Sequence, residues 1–563
     1  EDHAPIIQAV VMERGTMNGT VTDADGHYTI TVAGPQSILV FTFTGMETQE
    51  VVVGAHTEIP IEMRPGLEEI DQVMVVAFGK AKKSAFTGSA TSVSSKELER
   101  KQVSSVVNAL QGKLPGVVVF AEANQPGKTS TMRIRGTGSF SASSKPLYVV
   151  DGVPYDGDIS AINPQDVETT TVLKDAASAS LYGARGANGV VLITTKSGQS
   201  RNDVMNVNLT AKYGYNFRGV RDYDRLGPRE YIAKAFEAYA NSEPTKSLAD
   251  LTSEFVKPSS EFSPGYFPFS LPNGRTDYFI DNGDGTYSLN PLATNGRKIT
   301  DPITGQEYWL QPDNWTKEVI RPDSRQEYSL SLSGHGASSS YFFSGGYLRD
   351  KGYISSTNFE RYSSRLKGDY QPKSWLHIGA NAAYTYSVAN EVADSDDPRN
   401  PQNPFAYLER LGSVYPLYVR DGNGRILKDR FGFTRYDFGS GQYPGFNRPG
   451  SAFYGGNPLA AAQLDLNQRR VHAISLREYV DFIIPYGFKV TLSMGHDFEN
   501  GDRVIRKNAL YGSSAPYGGE ISHTSARKMS YNLQQLLTWE HSYADVHNVD
   551  VLLGHEFYSW RNA

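Results

Sequence analysis

The chain contains no cysteine. Disulfides, thiolate metal sites and a thiol nucleophile are therefore excluded. No stretch approaches the roughly 18–20 uninterrupted apolar residues that a membrane helix needs. That closes one route across a membrane and leaves the other open. A β-barrel strand needs only about 9–11 alternating residues and leaves almost no hydropathy signal. Hydrolytic motifs are missing as well: there is no HExxH pair and no GxSxG elbow. His472, His496, His523, His541, His547 and His555 are dispersed, without the spacing of a zinc site. These absences point away from an enzyme and predict no cofactor and no metal. Tryptophan is scarce, at 5 residues, and the net charge of -6 argues against a nucleic-acid partner. No signal peptide is recognisable, and a mature form is expected.

What is present is aromatic and alternating. The 563 residues are 39% apolar and 21% charged, the balance of a folded chain rather than a disordered one. There are 34 Tyr and 26 Phe. Tyrosine joins an apolar ring to a wet hydroxyl, which suits membrane interfaces and sugar- or peptide-binding surfaces.

Residues 1–66 show short strands at 19–22, 28–32, 38–44 and 50–53, separated by Asp23-Ala24-Asp25-Gly26 and Gly34-Pro35 turns. This spacing predicts a small β-sandwich. Asp23 and Asp25 read as turn residues that accept backbone hydrogen bonds rather than as calcium ligands. Residues 67–91 form a linker around one hydrophobic stretch, 73–78, with Glu68, Glu69 and Asp71 before it and Lys80, Lys82 and Lys83 after it. Such an isolated strand is either an edge strand of a neighbouring sheet or a strand awaiting a partner's sheet.

Residues 92–200 make a compact α+β domain. Strands are predicted at 117–120, 147–150 and 190–194, an amphipathic helix at 167–182, and a turn at Asp151-Gly152. Gly183, Gly186 and Gly189 lack the strand–turn–helix order of a phosphate loop. Arg133, Arg135 and Arg185 are long polar reaches suited to carboxylates on a surrounding wall, or to a soluble surface.

Residues 201–563 hold nine long strand candidates: 204–217, 326–333, 339–349, 359–370, 375–387, 471–484, 488–498, 528–541 and 548–560. Phe488, Val490, Leu492 and Met494 share one face of a strand; Lys489, Thr491, Ser493 and Gly495 share the other. Alternation alone serves a lipid-facing barrel or a soluble sandwich equally. The connections are more telling. Gaps after the second, fourth, sixth and eighth strands are short, whereas those after the first and fifth are very long, which is the rim asymmetry of outer-membrane barrels. In the long loops, residues 228–242 read as a helix, Tyr266-Phe267-Pro268-Phe269 is an aromatic cluster, and Asp281, Asp284 and Asp421 sit in turn sequences. Tyr213, Tyr215, Phe217, Tyr384, Tyr386, Trp539, Tyr558 and Trp560 read as an interface girdle.

Several motifs recur together. GTMNGTVTDADGHYTITV and ILVFTFTGMETQEVVV resemble the carboxypeptidase-regulatory-like domain, although the pattern starts abruptly compared with that family. LQGKLPGV, RIRGTGS, PLYVVDGVP and INPQDVETTTVLKDAASASLYGARGANGVVLITTKSG resemble the plug of SusC-like TonB-dependent outer-membrane transporters. IDQVMVVAFG is similar to that family's TonB box. The resemblance implies a mainly β chain: a small β-sandwich, an α+β plug, and the amino-terminal part of a transmembrane antiparallel barrel of about 22 strands. It implies that Asp71, Gln72, Val73, Met74, Val75 and Val76 bind periplasmic TonB. It further implies a SusD-like surface lipoprotein, a dimer of such pairs, outer-membrane lipid around the barrel of a Gram-negative bacterium, and an oligosaccharide or oligopeptide cargo. Phe140 and Tyr155 above the plug, with Tyr415, Tyr418, Phe453 and Tyr454 in the loops, are the expected cargo contacts. A receptor that only signals or adheres is the alternative from another class, and a soluble hydrolase is more distant.

Overall fold

The computed structural model describes residues 5–16, 18–43, 46, 48–63, 73–76, 79–82, 89–120, 125–128, 130–138, 143–175, 179–198, 204–257, 265–392, 403–439, 441, 443–448, 456–509, 514–543 and 547–563. The chain divides into two compact units at Gly88/Ser89.

The first unit is built on a four-stranded antiparallel sheet in the order β2-β1-β3-β4. Its strands are β1 (Val10–Glu13), β2 (Gly19–Val21), β3 (Ile38–Thr42) and β4 (Gln49–Val52). β1 was not among the strands expected from sequence, yet it is an interior strand of the sheet. The expected strand at 28–32 forms no ladder. Instead Tyr28, Ile30 and Val32 join Ile59, Ile61 and Met63 in covering the core of Val11, Leu39 and Phe41. Apolar burial holds these extended stretches in place without sheet pairing. Two further strands, β5 (Val73–Val76) and β6 (Gly79–Lys82), pair antiparallel as a hairpin.

The second unit begins with a mixed five-stranded sheet, β11-β10-β13-β12-β7. It comprises β7 (Ala90–Ser94), β10 (Leu147–Val150), β11 (Val153–Pro154), β12 (Val167–Leu173) and β13 (Val190–Thr195), and β10 runs parallel to β13. Helices α1 (Ser95–Glu99) and α2 (Val106–Leu110) and the hairpin β8 (Val117–Phe120) with β9 (Thr131–Ile134) complete this domain. Because β7 starts at Ala90, the domain begins slightly before the expected residue 92. Asp151 (φ 48°) and Gly152 (φ 85°) link β10 to β11 in a two-residue turn with positive φ at both positions, the geometry a tight hairpin prefers.

The helix expected at 167–182 is not formed. Residues 167–173 are strand β12, held between β13 and β7. Thr169, Thr170, Thr171 and Val172 are β-branched, and two flanking ladders reward that stiffness in a way one helix face cannot. Ser180–Gly186 is a kinked 3-10 segment, while residues 176–178 lie outside the described residues.

The rest of the unit is one nine-stranded antiparallel meander. Its first strand is β14 (Asn206–Asn216). The long connection after it carries helices α3 (Pro228–Ser242) and α4 (Leu248–Phe255). It also carries short strands β15 (Phe269–Ser270), β16 (Phe279–Asp281), β17 (Tyr287–Leu289), β18 (Thr294–Asn295), β19 (Arg297–Thr300) and β20 (Glu307–Leu310). The meander continues through β21 (Asp323–His335), β22 (Ser339–Lys351), β23 (Asn358–Lys373), β24 (Leu376–Asn390), β25 (Leu466–Ile484), β26 (Phe488–Lys507), β27 (Glu520–Tyr543) and β28 (His547–Asn562). All nine candidates are present in the expected order, longer at most ends. The turns between β21 and β22, β23 and β24, and β25 and β26 are tight, and the long connections lie at the opposite rim.

The long connections fold together into a cap with its own core. Phe236, Phe255, Tyr266, Phe267, Phe269, Tyr407 and Tyr415 are among its fully buried side chains. The aromatic cluster at 266–269 is therefore part of that core: Phe267 packs on Phe269 at 5.6 Å, on Phe279 at 6.1 Å and on Phe255 at 6.5 Å.

Candidate functional site

Strand parity decides which wall face is wet. On β26 the apolar Phe488 and Leu492 are exposed, whereas Gly495, Asp497 and Glu499 of the other parity are buried. On β21, Tyr328 and Leu330 are exposed, while Arg325, Glu327 and Ser329 are buried. The polar face is covered by the compact domain at residues 89–198. The apolar face looks outward. A soluble sandwich has the reverse arrangement; a barrel wall in lipid has this one.

The compact domain is seated on the polar face by hydrogen bonds. Arg361, on β23, is 2% exposed. Its guanidinium donates to the carbonyls of Ser104 (2.8 Å), Ser160 (3.1 Å) and Ile162 (3.5 Å) and to the Asn163 side chain (3.1 Å). Ser344 donates to Asp166 at 2.7 Å, and Arg365 lies 3.5 Å from the same carboxylate. Asn381 donates to Asp151 at 2.6 Å, and Lys367 stands 3.6 Å away. Thr385 donates to the Ala161 carbonyl at 2.8 Å. Arg469 pairs with Asp158 at 3.1 Å, while the Asp158 amide donates to Glu499 at 2.8 Å. Burial opposes ionisation of Asp151. Lys367, Arg365 and two hydrogen bonds from Thr195 outweigh it and hold that carboxyl below its ordinary value.

Of the three arginines singled out in the sequence, Arg185 meets the wall, pairing with Glu556 of β28 at 2.5 Å and stacking on Tyr558 at 4.6 Å. Arg133 instead donates to Thr137 and stacks on Phe120, both within the domain. Tyr558, expected in the girdle, faces inward and donates to Asp156. An outward aromatic row runs through Tyr328, Tyr347, Tyr362, the expected Tyr386 and His472, in register across five strands.

Close packing adds to the polar contacts. A Cβ on Gly495 would lie 2.4 Å from Val153 Cγ1, and one on Gly127 would enter the Phe359 ring. Between the Tyr155–Gly157 loop and β25–β28 lies a cavity of about 360 Å³ lined by Asp156, Arg185, Asp497, Glu499, Lys528 and Trp560.

The expected contact residues divide. Tyr155 is 6% exposed; its hydroxyl donates to the Asp158 carbonyl at 3.2 Å and its ring packs near Arg477. Burial first, then Asp497, Asp158 and Glu499, pushes its phenol well up. Tyr415 is 1% exposed and lies in the cap core, its carbonyl accepting from Trp315 Nε1 at 2.9 Å. Tyr418 is half-buried and donates to Glu318 at 3.1 Å. Both phenols are pushed up, by burial first. Val73, Met74, Val75 and Val76 form one strand of the hairpin described above. Asp71, Gln72, Phe140, Phe453 and Tyr454 lie outside the described residues. The seat residues Arg361, Arg365, Lys367, Asp151, Asp158 and Asp166 were not anticipated. Their signal was present in the shared parity of Arg361, Arg365 and Lys367. The expected turns are as read: Asp23 accepts from the amides of Asp25 and His27, and Asp421 from those of Asn423 and Arg425. Asp284 accepts from Thr286.

Comparison with known proteins follows the same division. Residues 1–75 match the CarboxypepD_reg-like domain, and residues 82–190 match the TonB-dependent Receptor Plug Domain. The chain is 26% identical over 562 residues to TonB-dependent receptor P39 of Formosa agariphila, covering 100% of this chain and 45% of that protein. It is 28% identical over 554 residues to TonB-dependent receptor SusC of Bacteroides thetaiotaomicron, covering 94% of this chain and 47% of that protein. The chain thus spans about half the length of these relatives. Among solved structures it is similar to the RagAB peptide importer in the open-open state, with a TM-score of 0.64, 22% identity, and 87% of this chain and 49% of that one covered. At that identity the likeness bears on the fold alone. No helix among the described residues is long and apolar enough to cross a membrane, which says nothing of a β-barrel. The two domain matches and the similarity along almost the whole chain make this chain similar to SusC-like TonB-dependent receptors, and a plug-like domain seated on the wet face of an antiparallel wall agrees with that likeness.

Proposed function

We propose that the full-length protein imports an oligomeric nutrient across the outer membrane, driven by TonB acting on residues 71–76, with a SusD-like lipoprotein closing the outer mouth. The observation that carries this reading is the chemistry of the plug seat. Buried contacts between plug and wall are mainly hydrogen bonds and ion pairs from Arg361, Arg365, Lys367, Asn381 and Arg469. In a wet lumen each has water as an alternative partner, so a seat of this kind is releasable, whereas an apolar core of equal area is not. A plug that is tight at rest and released by force is what a gated passage requires.

The cargo we propose is an oligosaccharide, with oligopeptides as the alternative. The cavity beside Tyr155 joins carboxylates, basic groups and aromatic faces, a combination that serves hydroxyl-rich ligands and peptide groups alike. The fully buried Tyr415 does not contact cargo in this conformation, so the proposed contacts are Tyr155 with the cavity wall, together with Phe140, Tyr418, Phe453 and Tyr454.

The test is deletion of residues 71–76 in the full-length receptor, assayed with fluorescent oligosaccharide and oligopeptide mixtures. Surface binding is expected to persist and accumulation inside the outer membrane to stop. Normal accumulation by the deletion variant would overturn the importer reading and leave a receptor without TonB-driven transport.

A further inference from the structure

One hairpin of the cap leaves three cations unmatched. Residues 417–437 make three extended passes that bond in turn: the Val419 amide donates to the Arg435 carbonyl, Arg435 to Leu427, and Leu427 to Val419. Two turns join the passes. Asp421 accepts from the amides of Asn423 and Arg425, and Asp429 from those of Phe431 (2.8 Å) and Phe433 (2.9 Å). Val419 and Tyr436 root the hairpin in the cap core, and Leu427 packs against that core. The tip is therefore held before any ligand arrives, and little ordering entropy opposes binding there.

Arg425, Lys428, Arg430, Phe431 and Phe433 are all exposed on this hairpin. None of its three exposed basic side chains forms a hydrogen bond or ion pair among the described residues. The two acids within 421–436, Asp421 and Asp429, are committed to their own turn amides. Other cations of the cap are paired: Arg275 with Asp277, Lys298 with Glu307, Arg321 with Glu318 and Arg420 with Asp313. The rings differ from their neighbours in the same way. Phe236, Phe255, Phe267, Phe269, Phe279 and Phe446 are buried, whereas Phe431 is 59% and Phe433 48% exposed. The Arg430 guanidinium lies over the Phe431 ring at 4.6 Å, so charge and ring form one contiguous surface. An exposed ring stacks on the C–H face of a sugar, and an unpaired cation beside it takes a carboxylate or sulfate.

We propose that this hairpin captures an anionic oligosaccharide, carboxylated or sulfated, with Phe431 and Phe433 stacking on sugar faces and Arg425, Lys428 and Arg430 meeting the acidic substituents. The proposal rests on the oligosaccharide cargo proposed above and narrows it from any hydroxyl-rich chain to an acidic one.

Binding is measured on purified full-length receptor in detergent, without TonB, so that capture and transport are read apart. The probes are fluorescent oligomers of galacturonate, dextran sulfate, neutral dextran and glutamate. At least one anionic glycan is expected to bind about tenfold tighter than dextran, an advantage that high salt removes because exposed charges are screened. The tighter of the two anionic glycans identifies the acidic group. Lys428→Gln with Arg430→Gln is expected to abolish the advantage, and Phe431→Ser with Phe433→Ser to weaken dextran and anionic glycans alike. Lys234→Gln with Arg275→Gln removes two cations paired elsewhere in the cap and is expected to change nothing. Unaltered resistance of the cap to limited proteolysis shows that each variant is folded. Equal affinity for dextran and both anionic glycans, or an advantage that survives Lys428→Gln with Arg430→Gln, would overturn the proposal. So would oligoglutamate binding as tightly as the anionic glycans, which would mark the hairpin as a docking point for an acidic protein. Accumulation of neutral dextran by cells whose receptor shows no anionic preference would sink this proposal and leave the import reading standing.

Discussion

Replacing Arg361 by methionine tests the plug seat most directly. The guanidinium reaches three plug carbonyls and the Asn163 side chain from a position that is 2% exposed. Methionine keeps much of the length and removes every donor. Each buried acceptor left without a partner costs about 1–3 kcal/mol, and the side chain loses hydrogen bonds strengthened by its charge. Water admitted from the lumen recovers part of this. A net loss of about 3–5 kcal/mol in seating follows, the range found when one partner of a buried charged contact is removed. At about 1.4 kcal/mol per factor of ten, the unseated population rises by a factor on the order of 100 or more. Two assays read it in the full-length receptor: amide hydrogen exchange in residues 158–167, and conductance of single receptors in planar bilayers. Arg361→Met is expected to speed exchange there by that factor while leaving exchange in the cap unchanged. Arg361→Lys restores the charge without the fork and is expected to recover only part. Exchange within threefold of the unaltered protein for Arg361→Met would refute the view that this contact holds the plug.

Gly495→Leu places side-chain atoms where Val153 Cγ1 already lies, 2.4 Å from a Cβ, and is expected to lower seating stability by about 1–3 kcal/mol; an unchanged melting temperature would contradict it. Asp151 has its seated carboxyl held below the ordinary 3.8, so its contribution is complete above that value and is lost as pH falls through the lower, seated one. Plug exchange is therefore expected to be insensitive to this group from pH 5 to 8 and to rise only in acid below about pH 4; Asp151→Asn should remove that acid step. In the cap, Phe236 stacks on Phe279 at 3.7 Å with no exposure, and Phe236→Ala is expected to cost about 3–5 kcal/mol. Limited proteolysis should then cleave the cap while the wall stays intact; simultaneous loss of both would show that cap and wall are one cooperative unit.

The wall strands were legible because each side chain's face is set by a period of two, and that period survives whatever the strand packs against. The turn aspartates were legible for a local reason too. Asp23 and Asp421 bond amides two and four residues ahead, well within reach of their own loops. Residues 167–173 were misread because helix and strand preferences compete over a short apolar stretch, and the ladders with β7 and β13 that decide it come from residues far away in sequence. The burial of the loop aromatics was not legible for a similar reason. Tyr266 and Tyr415 meet in the cap core only after about 150 residues of intervening chain have folded back.

The sequence by itself therefore determined the domain order, the strand count and the segregation of short turns from long loops, all of which follow from local pattern and spacing. Only the tertiary structure decided which face is wet, because one alternation fits both a sandwich and a barrel. The plug's position on the side of Arg361 and Asp497 resolves it. Only the tertiary structure, too, showed that Tyr415 is buried in the cap core. Burial and solvent exposure belong to the whole assembled surface, and no stretch of sequence carries them alone.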